Sequence, residues 1–224
     1  MKHMKLHVTS TLLLALALAV CAPAGASTLW YNGDADNNTR YVNEGKTQPQ
    51  DILYNDFVVN SPGWHVTSVW SNNTFGGGPP FSTYATWEIL SNMPTGTLMA
   101  TGDAPAALTP TGNTFFGTEY QVLVSGLNVT LSPGTYWLAV YPDDTNGGWA
   151  LNETTSGLNA VGMPRGNNGN LYDSSDGGVS FDGPYGIDTS AGVGGNTVPE
   201  PSSLALLGTG ALGLAGVIRR KLML

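Results

Sequence analysis

The sequence predicts an all-β fold for its central region, an antiparallel β-sandwich or jelly roll, flanked by an N-terminal signal helix and a C-terminal transmembrane helix. Three observations carry this expectation. Between Thr28 and Thr154 apolar residues alternate instead of recurring at helical spacing. Gly, Pro, Asn and Asp interrupt the chain at short intervals, as they do between short strands. Long uncharged apolar runs occur only near the two ends.

At the front, Lys2 and Lys5 precede an apolar run from Leu12 to Val20, followed by the small residues Ala24-Gly25-Ala26. This order is that of a secretory signal over residues 1–26, cleaved to leave Ser27 first. The run is shorter than the roughly 20 residues that a helix needs to cross the hydrocarbon layer. Cys21 raises the rival of an acylated lipoprotein, but Val20 stands where such a site takes a small residue.

The clearest strands are His65 to Ser71, Tyr84 to Ser91, Thr118 to Val124, Leu127 to Leu131, Thr135 to Tyr141 and Gly148 to Thr154. Weaker patterns cover Thr28 to Asn32, Asp51 to Val59 and Gly178 to Phe181. Ser125-Gly126 and Ser132-Pro133-Gly134 have turn chemistry, because Pro fixes φ and Gly accepts positive φ. They predict an antiparallel meander of the three strands from Thr118 to Tyr141. Within it Val122 and Val124 share a face with Tyr120, while Leu127, Val129 and Leu131 share one in the next strand. Thr135 to Tyr141 is apolar on both faces, Tyr136, Leu138 and Val140 against Trp137, Ala139 and Tyr141, which marks a central strand.

Beyond Thr155 the pattern fades into Gly, Asn, Asp and Ser. The expected β domain covers residues 27–182, and residues 183–197 read as a flexible linker, since their glycines and serines offer little apolar surface to offset ordering entropy.

Residues 198–224 form a tripartite ending. Pro199-Glu200-Pro201 cannot continue a helix or strand, the stretch from Ser202 to Ile218 has no charge, and Arg219, Arg220 and Lys221 supply a basic stop. This ending resembles the PEP-CTERM sorting signal of Gram-negative bacteria that make exopolysaccharide. The resemblance implies an exported protein, anchored transiently in the inner membrane by a C-terminal helix and then placed at the cell surface or outside by an exosortase-type sorting enzyme. The stretches Leu131 to Leu138 and Gly147 to Ala150 also resemble β-sandwich domains found ahead of such tails.

Composition limits the chemistry. The single cysteine, Cys21, leaves with the signal, so disulfides and cysteine nucleophiles are excluded from the mature chain, and His65 is its only histidine. Between the end segments the only bases are Arg40, Lys46 and Arg165, whereas every acid except Glu200 lies there. Such an acidic surface repels a phosphate backbone and excludes nucleic acid as a partner.

Asp34, Asp36 and Asn38 offer alternating oxygen ligands of the kind Ca²⁺ takes. Thr39 and Gly45 stand where an EF-hand has Gly and Glu, so an irregular calcium site and an ordinary polar turn are the two readings. No other cofactor is expected. Of the six tryptophans, Trp87 and Trp137 are expected in the core. Trp64, Trp70 and Trp149 lie near polar neighbours and are candidates for stacking on a carbohydrate. No serine has a nucleophile-elbow context, and no catalytic residue is assigned. The expected function is a non-catalytic surface or matrix protein that binds exopolysaccharide. The alternatives are a structural envelope protein without a ligand and a carboxylate-dependent glycoside hydrolase drawing on Glu88, Glu119, Glu153 or the aspartates.

Overall fold

A computed structural model describes residues 27–44, 51–76, 83–143, 149–174, 182–183 and 185–198, together with helical positions at Gly208, Gly210, Gly213, Leu214, Ile218, Arg219 and Lys221. Among the described residues eleven strands form one antiparallel sheet: β1 Ser27–Tyr31, β2 Ala35–Val42, β3 Ile52–Val59, β4 Trp64–Gly76, β5 Tyr84–Ser91, β6 Thr97–Pro110, β7 Glu119–Leu131, β8 Gly134–Pro142, β9 Trp149–Thr155, β10 Tyr172–Ser174 and β11 Ala191–Thr197. Their order is β1-β11-β4-β7-β6-β5-β8-β3-β10, with β9 beside β4 and β2 beside β9.

The sheet curls because β6 changes partner along its length. Thr97 to Pro105 pair with β5, and Ala106 to Pro110 pair with β7. The two halves of the sheet therefore share one core. Phe57, Ile89, Leu138 and Val140 from one half meet Trp30, Val66, Val69, Val122, Val124 and Val193 from the other. Phe57 lies at its centre, with ring centroids 5.6 Å from Trp30, 5.8 Å from Trp64 and 5.7 Å from Tyr136. Rings at these separations add to the burial of their large apolar surfaces.

β8 is apolar on both faces as its sequence requires. Tyr136, Leu138 and Val140 face the shared core, while Trp137, Ala139 and Tyr141 form an outer cluster with Ile52, Tyr54, Leu90 and Tyr172. Glu88 also lies on this outer side. It is half-buried, and its carboxylate accepts hydrogen bonds from the Tyr54 hydroxyl at 2.7 Å and the Tyr141 hydroxyl at 3.1 Å.

Several expectations are corrected. Ser125-Gly126 is no turn: β7 runs unbroken from Glu119 to Leu131. On β4, Val66 pairs with Val129 and Ser68 with Ser125, so β7 bulges there, and Gly126 takes φ 78°. A bulge flips the alternation just as a reversal does. Val122 and Val124 precede the flip, and Leu127, Val129 and Leu131 follow it, all packed on the core. β8 does not sit beside β7 but between β5 and β3 in the other half of the sheet, so the meander does not form.

Residues 183–197 are not a plain tether. Their last part is β11, hydrogen-bonded on one side to β1 and on the other to β4. The sequence pattern marks neither β2 nor β6 as a strand. The signal segment 1–26, the weak strand at Gly178 to Phe181, and Pro199, Glu200, Pro201 and Arg220 lie outside the described residues.

Candidate functional site

Alternate residues of a strand face opposite sides of the sheet. On β4 and β7 this rule sets Val69, Ser71, Val122 and Val124 toward the interior and Trp70, Asn72, Glu119 and Gln121 toward the outer face. Ser71 Oγ accordingly donates to the Val140 carbonyl across the core at 2.7 Å. Asn72 lies directly across from Gln121 in the ladder, and Thr74 across from Glu119. Next to them, Gly192 of β11 carries no side chain, and a Cβ there would collide with the Trp70 indole, so the ring lies over the glycine strand.

Trp70, Asn72, Glu119 and Gln121 line a cleft of about 710 Å³. Tyr31 and Trp70 supply its aromatic surface, with ring centroids 6.1 Å apart. Its walls come from the β1–β2 turn at Asp34, the loop after β6 at Thr111 and Asn113, and Leu158 and Val161. The Tyr31 hydroxyl donates to Asp34 Oδ1 at 2.8 Å, and Asn159 Nδ2 donates to Asp34 Oδ2 at 2.6 Å. Asn72 Nδ2 donates to Ser190 Oγ at 2.9 Å and to the Tyr31 hydroxyl at 3.3 Å. Thr111 Oγ1 donates to Glu119 Oε2 at 2.5 Å.

Three buried polar atoms of cleft-lining residues have no hydrogen-bond partner: Glu119 Oε1, Asn72 Oδ1 and Trp70 Nε1. Leaving such an atom unmatched costs about 1–3 kcal/mol. The wall is also acidic. Burial pushes the Glu119 carboxyl up, the Thr111 hydrogen bond offsets part of that, and the charge of Asp34 adds to it. Glu153 is pushed up to about 7, first by burial and then by the charge of Glu119, while the hydrogen bond from Asn113 Nδ2 at 3.0 Å and the charge of Arg40 oppose the rise. Burial likewise raises the Tyr31 phenol. Among the described lining residues there is no Lys, Arg or His.

The residues singled out from sequence divide among different places. Trp70 and Asp34 line the cleft. Trp64 is 4% exposed, stacked on Phe57 and unavailable to a ligand. Trp149 is 63% exposed but is not among the lining residues. Asp36 Oδ1 accepts from the Asn38 backbone N–H at 2.9 Å and from Thr154 Oγ1 at 2.6 Å, so it serves a local turn and ties β2 to β9. Asn38 is exposed. Among the described residues no group of three or more His, Cys, Asp or Glu side chains is arranged to hold a metal ion. His65 Nε2 hydrogen-bonds Asn128 Oδ1 at 2.8 Å on the surface.

Tyr31, Asn72, Asn113 and Gln121 are not marked by the sequence as site residues, and Glu119 is marked only as one of several possible carboxylates of a hydrolase. A signal for some of them exists, because Trp70-x-Asn72 and Glu119-x-Gln121 each repeat on one strand face at period two. Only the pairing of β4 with β7 brings the two repeats together.

No curated protein and no solved structure matches the chain. The PEP-CTERM protein-sorting motif matches residues 197–221, starting on the last residue of β11. No helix among the described residues is long and apolar enough to cross a membrane. A sorting motif of this kind, joined directly to an all-β domain, marks an exported protein handled by an exosortase.

Proposed function

We propose that the protein is a non-catalytic cell-surface or extracellular-matrix protein whose β domain, a sandwich in this reading, binds exopolysaccharide in the cleft at Tyr31 and Trp70. A C-terminal helix over Ser202 to Ile218, stopped by Arg219, Arg220 and Lys221, anchors the chain transiently in the inner membrane before sorting. The observation that carries the binding reading is the meeting of aromatic rings with amides and carboxylates in one cleft. Sugar rings stack their C–H faces on aromatics while polar side chains take the hydroxyls. The cleft volume of about 710 Å³ is that of a ligand site.

Retention of the processed protein on its host's exopolysaccharide tests this. Asn72→Ala with Gln121→Ala should release it, and Trp149→Ala should not. Equal retention of all three proteins would remove the cleft from the reading, and no retention of the unaltered protein would favour a structural role without ligand. The raised carboxylates Glu119 and Glu153 motivate the hydrolase alternative. On the non-catalytic reading, reducing ends do not accumulate when the protein is incubated with the same polysaccharide.

A further inference from the structure

Resting on that glycan reading, we infer that the cleft selects an amino sugar with a free, protonated amine over neutral, N-acylated or acidic sugars. Asp34 and Glu119 line the cleft, Glu153 stands behind Asn113, and no cationic side chain occurs among the described lining residues. The whole chain is acidic as well, with a net charge of −8. An acidic sugar entering here would meet carboxylates with no cationic side chain among the described lining residues to pair with, and like charges repel.

Hydrogen-bonding capacity points the same way. Glu119 is 2% exposed, its Oε2 is held by the Thr111 hydroxyl, and its Oε1 has no partner. Asn72, 4% exposed, has its Nδ2 engaged by Ser190 and Tyr31, whereas its Oδ1 is unpartnered. Among the buried atoms of the lining residues those without a partner are two acceptors and one donor, Trp70 Nε1. An ammonium group only donates and carries the complementary charge, and hydrogen bonds between ionised partners are the strongest kind available. Acetylation would remove that charge and turn a carbonyl acceptor toward a wall already rich in acceptors.

The test measures affinity of the processed protein, purified from its producing cells, for a β-1,4-linked glucosamine oligomer, its fully N-acetylated counterpart and a galacturonate oligomer. The glucosamine oligomer should bind roughly ten-fold or more tightly than the acetylated one, and the galacturonate weakest. Glu119→Gln should bring the ratio of the two hexosamine affinities down to about one, whatever it does to either affinity alone, and Asp34→Asn should lower that ratio should the first variant fail to fold. The exposed Asp103→Asn serves as a control for general attraction between a polycation and an acidic protein. Equal binding of the two hexosamine oligomers, or an equal loss in Glu119→Gln and Asp103→Asn, overturns amine selection and leaves glycan binding intact. If none of the three oligomers binds and the host polysaccharide is not retained either, the glycan reading falls and takes this inference with it.

Discussion

β8 and β11 are both interior strands, each hydrogen-bonded to a neighbour on either side, yet they are made of opposite materials. β8 carries bulky side chains on both faces, and its neighbours come to it. β11 has the alternation of a strand, with Ala191 and Val193 buried in the core, but its outward positions are Gly192 and Gly194. The apolar cover missing from that face is supplied by Trp70, whose ring extends over the glycines from the adjacent strand. A strand can thus be central either because it brings its own packing or because it makes room for a neighbour's. The second kind is invisible to a count of apolar residues, and glycine's ordering cost of roughly 0.5–1 kcal/mol relative to alanine makes it look like a linker.

The largest test of this contrast removes β11. Deleting Ala191 to Thr197 should abolish the cooperative thermal transition, whereas deleting a mere tether would leave the melting curve unchanged. Next, Leu138→Ala on β8 empties volume from a fully buried site and should cost about 2–5 kcal/mol in denaturant unfolding. Gly192→Ala should cost about 1–3 kcal/mol by the opposite mechanism, overpacking against Trp70. Combined with Trp70→Ala it should cost much less. Additive losses in that double-mutant cycle would show that the glycine does not serve the ring.

A smaller effect separates the acidic side of the molecule around β9 and β11. Glu153 is raised from its ordinary 4.5 to about 7, and Asp188, just before β11, from 3.8 to about 6, both chiefly by burial. The folded state holds protons there that the unfolded chain has already released, so stability must fall as pH rises from about 4 to about 7. A melting series should show its maximum at mildly acidic pH, and Glu153→Gln should flatten the decline toward pH 8. The smallest expected change is none: adding calcium or a chelator should leave the midpoint alone, because Asp34 and Asp36 are committed to Tyr31, Asn159 and Thr154. A rise with calcium would restore the loop as a cation site.

The same contrast explains which elements were legible. β4, β5, β8 and β9 could be read because their alternation is written in their own side chains. β7 was read as two strands because a parity flip has two geometric solutions, and Ser125-Gly126 suits either a reversal or a bulge. β2 escaped because its residues are polar and half-exposed along its length. β6 alternates mostly small residues with exposed ones, having Gly102 where a Cβ would press on the Trp87 indole. In the cleft, Trp70 and Asp34 were identifiable as residue types with recognition chemistry. Their neighbours Asn72 and Gln121 were not, since polar side chains on an outer strand face read as solvated until a loop is known to cover them, and Glu119 stood out only as one carboxylate among several.

By itself the sequence determined the sorting motif after β11, the all-β class and the two-faced β8. Those properties depend on composition and short-range order, which a linear string records completely. The tertiary structure alone decided that a glycine-rich stretch is a central strand, that Trp64 is core, and that residues from β1, β4 and β7 and the loops near them share one acidic cleft. Each of those outcomes depends on contacts between residues far apart in the chain, where one strand's vacancy is matched to another strand's bulk.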